Sequence, residues 1–347
     1  MNITVCGAGP AGLGMAACLM HAGHRVTLYD MPDYSERIEV FQQDPAISAT
    51  GKLTFSGRLD GATCDPAEAL TNAEAVFIVT HAAAHKKLAK YFAGILRSEQ
   101  IIVMCPGYVG GGLEFTQSLA KYSASEIPAF IEASSLPIIS QWTDPHTVKI
   151  SGWKRNFIVY RPEKLADHPI LSWFQDLYAP LKFTTSPVEP GLNEINFIVH
   201  AVVSLLNAGR LQPNTNWTFY RDGLTPEIVR VIEAIDQERV DLESRLGLVP
   251  HPLTDLLTEF YANQGMSSEG LFRQLTTFEP FANVAGPCNM DSRFISEDLC
   301  YGLVPMAHLG LQHGLPMKTT LLIIQLATAL TGTDYLTAGR TVEYRGA

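Results

Sequence analysis

The sequence predicts an α/β protein: an N-terminal Rossmann-type doubly wound sheet followed by an all-helical C-terminal domain. Three observations predict it. A glycine fingerprint closes the first strand-like run, short β-like runs alternate with helical stretches up to about residue 187, and helical periodicity alone continues beyond.

Taken in order, ITVCG (3–7) is the first strand and leads into a small-residue helix ending near His21. RVTLYD (25–30) is the second strand, with a polar helix around 34–42. AVFIVT (75–80), a helix through about 96, IIVMCP (101–106), a helix over GGLEFTQSLAKY and AFIEAS (129–134) continue the alternation. HTVKISGWK and NFIVYR read as an antiparallel addition near the domain's end. The two prolines and glycine of SPVEPGLN (186–193) break the pattern, giving domains at 1–187 and 188–347. Helices are then expected over 192–208, 225–246, 253–262, 268–275, 294–312 and 316–330.

Composition narrows the function classes. The chain has 347 residues, 46% hydrophobic and 17% charged, which suits a well-cored protein of two domains. No apolar run is long enough to span a bilayer, and the N-terminal run lacks a basic flank and breaks at glycines, so a cytoplasmic protein without a membrane partner is expected. The six cysteines show no CxxC spacing and read as reduced. A net charge of −10 with no basic tract argues against nucleic acid. An anionic substrate would have to be captured by a few local cations, so each arginine near a site matters.

Gly7-Ala8-Gly9-Pro10-Ala11-Gly12 sits where a strand turns into a helix. The first glycine permits the tight turn, the second lets backbone approach a pyrophosphate, and the third allows close helix packing. Asp30, at the end of the second strand, is placed for the adenosine ribose and favours NAD(H) over NADP(H), although Arg37 lies on the same loop. FAD uses a similar fingerprint, but the helical half carries no further flavin-like glycine motif. The loop from Cys105 through Pro106 and Gly107 to Phe115 follows another strand and is the candidate for the nicotinamide end. His81 and His85 have the spacing of a two-histidine metal face, but no third ligand follows and no metal is expected.

The helix NFIVHAVVSLLNAGR (196–210) is the unusual element. Asn193, Asn196, His200, Ser204 and Asn207 fall in a stripe roughly 80° wide on an otherwise apolar helix. Either these are satisfied core polar groups or they line a cavity that binds something.

Three stretches together resemble the opine dehydrogenase family: PGYVGGGLEF (106–115), NFIVHAVVSLLNAGR (196–210) and AGPCNMDSRFISEDLCYGLVPMAHLG (285–310). IEASS (131–135) and DGLTPEIVRVIEAIDQER (222–239) add to the likeness, which runs through nearly the whole chain. The resemblance implies condensation of an amine, usually of an amino acid, with a 2-oxo acid such as pyruvate, followed by NADH reduction of the imine. It also implies roles: His200 as the catalytic histidine, Asp298 as its partner and Arg293 as the holder of a substrate carboxylate. Asn196 would donate to substrate or nicotinamide, and Asn207 would contact substrate or join helices. Histidine suits proton transfer near neutral pH, and a guanidinium can grip a carboxylate with two bonds. In one place the chain departs from the family: Thr80-His81 stands where relatives commonly carry a proline. A dehydrogenase of 2-hydroxy or β-hydroxy acids and a non-catalytic nicotinamide-binding sensor are the competing readings. The helical half is compatible with a homodimer or a monomer.

Overall fold

The computed structural model describes residues 1–123, 126–178, 180–261 and 264–344. They divide into two compact units, one of Met1–Gly107 with Gly111–Pro190, the other of Tyr108–Gly110 with Gly191–Ala347.

Among the described residues the first unit carries twelve strands: β1 (Asn2–Cys6), β2 (Arg25–Tyr29), β3 (Ala46–Gly51), β4 (Phe55–Arg58), β5 (Gly61–Thr63), β6 (Ala75–Ile78), β7 (Ile101–Met104), β8 (Ala129–Ala133), β9 (Ile138–Asp144), β10 (Thr147–Trp153), β11 (Ile158–Tyr160) and β12 (Lys182–Thr184). Its helices are α1 (Pro10–His21), α2 (Ser35–Gln43), α3 (Pro66–Leu70), α4 (His85–Phe92), α5 (Gly111–Tyr122) and α6 (Pro169–Tyr178). The main sheet has the order β12-β11-β8-β7-β6-β1-β2-β5. From β8 to β5 the pairing is parallel, and every residue of β6 and β7 is buried, as strands covered on both faces require.

The expected antiparallel addition divides between two sheets. NFIVYR supplies β11, which runs antiparallel to β8 in the main sheet. HTVKISGWK instead supplies β10 of a separate four-stranded sheet, β4-β3-β10-β9, which packs against α1. The hairpin β3–β4 was not expected from the sequence. Its strands AISATG and FSGR are short, glycine- and serine-bearing and half exposed, so they lack the β-branched run that marks a strand.

The second unit is helical, in accord with the expected texture. It contains α7 (Glu189–Leu192, shared at the boundary), α8 (Asn196–Leu206), α9 (Pro226–Arg245), α10 (Leu253–Phe260), α11 (Leu271–Thr277), α12 (Arg293–Asp298), α13 (Val304–Gln312), α14 (Lys318–Thr331) and α15 (Tyr335–Ala338). The longest, α9, starts on Pro226 with the Thr225 hydroxyl accepting the Ile228 N–H, a good N-terminus on both counts. No helix among the described residues is long and apolar enough to cross a membrane.

Between α12 and α13 the helix widens into a π turn, Leu299–Leu303. Pro305 explains it. A proline has no N–H to offer the carbonyls before it, and its ring pushes them away. The Cys300 carbonyl accepts the Arg340 N–H at 2.7 Å instead, and the Tyr301 carbonyl accepts the Val109 N–H at 3.1 Å.

A buried ion network holds α9. Arg239, fully buried, donates to Asp236 Oδ1 at 2.7 and 2.9 Å and to Glu243 Oε1 at 2.8 Å. The second oxygens of both acids accept backbone N–H groups, from Leu253 at 2.8 Å and His251 at 2.9 Å. Burial pushes the Glu243 carboxyl up to about 7, against the pull of Arg239 and the His251 N–H. Its folded value lies above its unfolded one, so the folded protein keeps a proton that the unfolded chain gives up. This contribution to stability is complete at low pH and is lost as pH rises toward about 7. Glu243→Gln should flatten the fall in stability between about pH 4.5 and about pH 7, read as urea midpoints across that window. A variant whose midpoints follow the wild-type slope contradicts this.

Candidate functional site

The fingerprint closes β1 and opens α1. Gly7 has φ +112°, and a Cβ there would lie 2.4 Å from the Val79 carbonyl oxygen. A Cβ on Gly12 would lie 1.8 Å from the Gly7 oxygen, so both positions require glycine for the chain's own packing. At Gly9 a Cβ would meet nothing within 4 Å. The space over Gly9 lies before Pro10 and Ala11, at the first turn of a twelve-residue helix whose N-cap carries no side-chain hydrogen bond. That arrangement fits a dinucleotide pyrophosphate. Ser140 of β9 braces the turn by donating to the Pro10 carbonyl at 2.9 Å.

Asp30 is 7% exposed, and its two oxygens accept the Ala8 and Met31 N–H groups, each at 2.8 Å. Burial pushes its carboxyl up, while those two N–H groups and the charges of Arg37 and His81 pull it down. Arg37 lies over the Trp142 ring, 5.6 Å from its centroid. Thr80-His81 leads into a short turn, Ala82–Ala84, ahead of α4. The Cys105–Pro106 peptide is cis. A Cβ on Gly107 would lie 2.4 Å from Glu132 Oε1, and the other oxygen of this buried carboxylate accepts the Gly112 N–H at 2.8 Å. Among the described residues no group of three or more His, Cys, Asp or Glu side chains could hold a metal ion.

In the helical unit, α8 and α12 pack together and bring His200 Nδ1 to 3.0 Å from Asp298 Oδ2. Side-chain exposure is 16% for His200 and 3% for Asp298. Burial pushes the Asp298 carboxyl up, and the hydrogen bond and charge of His200 oppose this. The imidazole is fixed in its plane as well. Phe294 stacks on it at 4.2 Å between centroids, and Phe219 meets it edge-on at 5.5 Å. With Asp298 as acceptor, Nδ1 carries the proton, and Nε2 is then the acceptor nitrogen of the ring.

Tyr108 joins this pair, its phenol donating to Asp298 Oδ1 at 3.1 Å. It was not singled out from the sequence, where its one trace is an aromatic hydroxyl set among the glycines of PGYVGGG. The charges of Glu297, Glu194 and Arg293 act on the same phenol.

The polar stripe divides by task. Asn196 is half-buried, one turn before His200. Asn193 is fully buried and donates to Glu243 at 3.0 Å, so it belongs to the α9 network. Ser204 is fully buried one turn after His200. Asn207 donates from its amide to the Val203 and Gly223 carbonyls at 2.9 and 2.8 Å, tying the end of α8 to the next loop, so any ligand contact falls to its carbonyl oxygen.

The open space over Gly9 gives a direct test. Gly9→Ala should leave the melting temperature within a few degrees while weakening NADH binding, measured by fluorescence, by about tenfold or more. Unchanged NADH affinity would mean that no ligand approaches that backbone.

Comparison with known proteins finds relatives for both halves of the chain. A model of the NAD/NADP octopine/nopaline dehydrogenase α-helical domain matches residues 184–331, and a model of the NAD-dependent glycerol-3-phosphate dehydrogenase N-terminus matches residues 2–126. An opine dehydrogenase of Arthrobacter sp. (strain 1C) is 28% identical over 345 residues, 99% of this chain and 94% of the relative. A D-nopaline dehydrogenase of Agrobacterium vitis is 24% identical over 86% of this chain and 79% of its own length. A solved octopine dehydrogenase, in complex with NADH and agmatine, shares the fold with a TM-score of 0.81 at 15% identity, covering 98% of this chain and 94% of that one. Over residues 184–331 the chain is thus similar to the octopine/nopaline dehydrogenase helical domain, and over nearly its whole length it is similar to an opine dehydrogenase.

Proposed function

We propose that the protein is an NAD(H)-dependent opine dehydrogenase, joining an amine, usually of an amino acid, to a 2-oxo acid such as pyruvate through an imine, reversibly. The observation that carries it is the His200–Asp298 pair, buried in the half that matches the octopine/nopaline dehydrogenase helical domain. The relatives' names point the same way, and the solved octopine dehydrogenase was caught with NADH and an amine.

Bound NADH supplies the hydride for the imine carbon. The chain's own residues do the rest. Gly7, Gly9, Pro10, Ala11 and Gly12 hold the pyrophosphate at the start of α1, Asp30 takes the adenosine ribose, and Pro106 and Gly107 bound the nicotinamide end. Asp30 also favours NAD(H), since a 2′-phosphate would meet its carboxylate. His200 Nε2 takes a proton from the substrate ammonium, freeing its lone pair to attack the carbonyl carbon. A second proton passes from the attacking nitrogen to the former carbonyl oxygen, and the proton held by His200 returns to that hydroxyl, which departs as water and leaves the iminium ready for reduction. Asp298 stabilises the imidazolium formed in between. Arg293 grips a substrate carboxylate, Asn196 donates to the substrate, and Asn207 offers its carbonyl oxygen. A cytoplasmic site of action goes with this chemistry and with free thiols such as Cys6 and Cys105.

The test follows NADH absorbance with pyruvate and a panel of amino acids, omitting each component in turn. Oxidation should require both the oxo acid and one amine, and His200→Ala should lower the rate by about a hundredfold or more. Oxidation with the oxo acid alone would make the protein a hydroxy-acid dehydrogenase. Tight NADH binding without turnover would make it a sensor.

A further inference from the structure

We infer that Tyr108 is a positioning residue for the proton-transfer pair, its phenol holding the Asp298 carboxylate in the orientation that serves His200. This rests on the roles given to His200 and Asp298 above. A carboxylate has two oxygens, and one hydrogen bond leaves it free to turn about the Cβ–Cγ bond. In Asp298, 2% exposed, Oδ2 faces His200 and Oδ1 accepts from Tyr108. Each oxygen has its own side-chain partner.

The backbone at Tyr108 is held for this purpose. Its φ is +61°, a left-handed conformation that an aromatic residue keeps only where its surroundings over-determine it. The surroundings do so on both sides of the next residue, Val109. The Val109 N–H donates to the Tyr301 carbonyl at 3.1 Å, and the Val109 carbonyl accepts from Arg340 Nη1 at 3.0 Å. Arg340 is fully buried and lies 4.9 Å from the Tyr301 ring centroid. Gly191 closes the third side, where a Cβ would lie 2.3 Å from the Tyr108 carbonyl oxygen. The Tyr301 carbonyl is available because Pro305 cannot donate to it, so the π turn that follows Asp298 also supplies the anchor for Tyr108.

The charged groups around the phenol keep it a donor. Burial, then the carboxylates of Asp298, Glu297 and Glu194, push Tyr108 well above the usual tyrosine range, while Arg293 pulls the other way. Near neutral pH it therefore presents O–H to Asp298. Without that donor the carboxylate is more basic, and the pair keeps its shared proton to higher pH.

Tyr108→Phe removes one oxygen and tests this in the full chain. The expected result is a fall in kcat on the order of tenfold, with the acid–base transition in the pH–rate profile moved up by about half a unit or more. NADH affinity should stay at its wild-type value, and the melting temperature should fall by about a few degrees, the cost of the donor that the buried Asp298 loses. The double variant Tyr108→Phe/Asp298→Asn should be no slower than Asp298→Asn alone, because Tyr108 acts through Asp298. An unmoved pH profile, or additive losses in the double variant, would overturn the assignment. If Tyr108→Phe does not fold, wild-type chain grown with 3-fluorotyrosine, a stronger phenol donor, should move the transition down, and no movement would overturn the assignment equally. Full activity in His200→Ala would instead remove the pair itself. An inactive His200→Ala beside a wild-type Tyr108→Phe would remove only the role of Tyr108.

Discussion

A carboxylate taken out of water must be compensated, and in this protein that constraint falls on Asp298. The side chain is 3% exposed and sits at the last residue of α12, where the helix gives way to the π turn. Its two oxygens draw in a histidine from α8 and a tyrosine from a loop 190 residues earlier in the chain. Helix packing, the proline-driven turn and the clamp on Val109 all serve to deliver those two partners. The geometry therefore follows from one buried charge.

A second buried charge plays a different part. Arg239 is surrounded by Asp236 and Glu243, whose remaining oxygens are taken by backbone N–H groups. This network fixes α9 against the chain entering α8 and involves none of the groups assigned to proton transfer. Asn193 marks the border, since it belongs to the polar stripe by spacing and to Glu243 by contact. Separating the two networks shows why a stripe of polar residues need not be one site.

What the sequence made legible was local. The fingerprint from Gly7 to Gly12 is read from neighbours a few residues apart, and each glycine proves to have its own steric or spatial reason. Helical periodicity after residue 190 is likewise a short-range signal. The pairing of His200 with Asp298 spans 98 residues and no periodicity encodes it, so only likeness to a family suggested it. Tyr108 was missed because its partner lies in a distant helix and its loop looks like turn chemistry. The β3–β4 hairpin was missed for the opposite reason, a local pattern too weak to stand out.

In the function proposed, Asp298 works through its charge on the imidazole. Asp298→Asn keeps the size and most of the hydrogen bonding but removes that charge, and its kcat with saturating NADH, oxo acid and amine is the most direct measurement. A loss of about a hundredfold or more, with NADH affinity at the wild-type value, is the outcome expected for a charge that holds the tautomer and stabilises the imidazolium. A variant that turns over at the wild-type rate would make the buried pair architecture alone, with the proton travelling by another route.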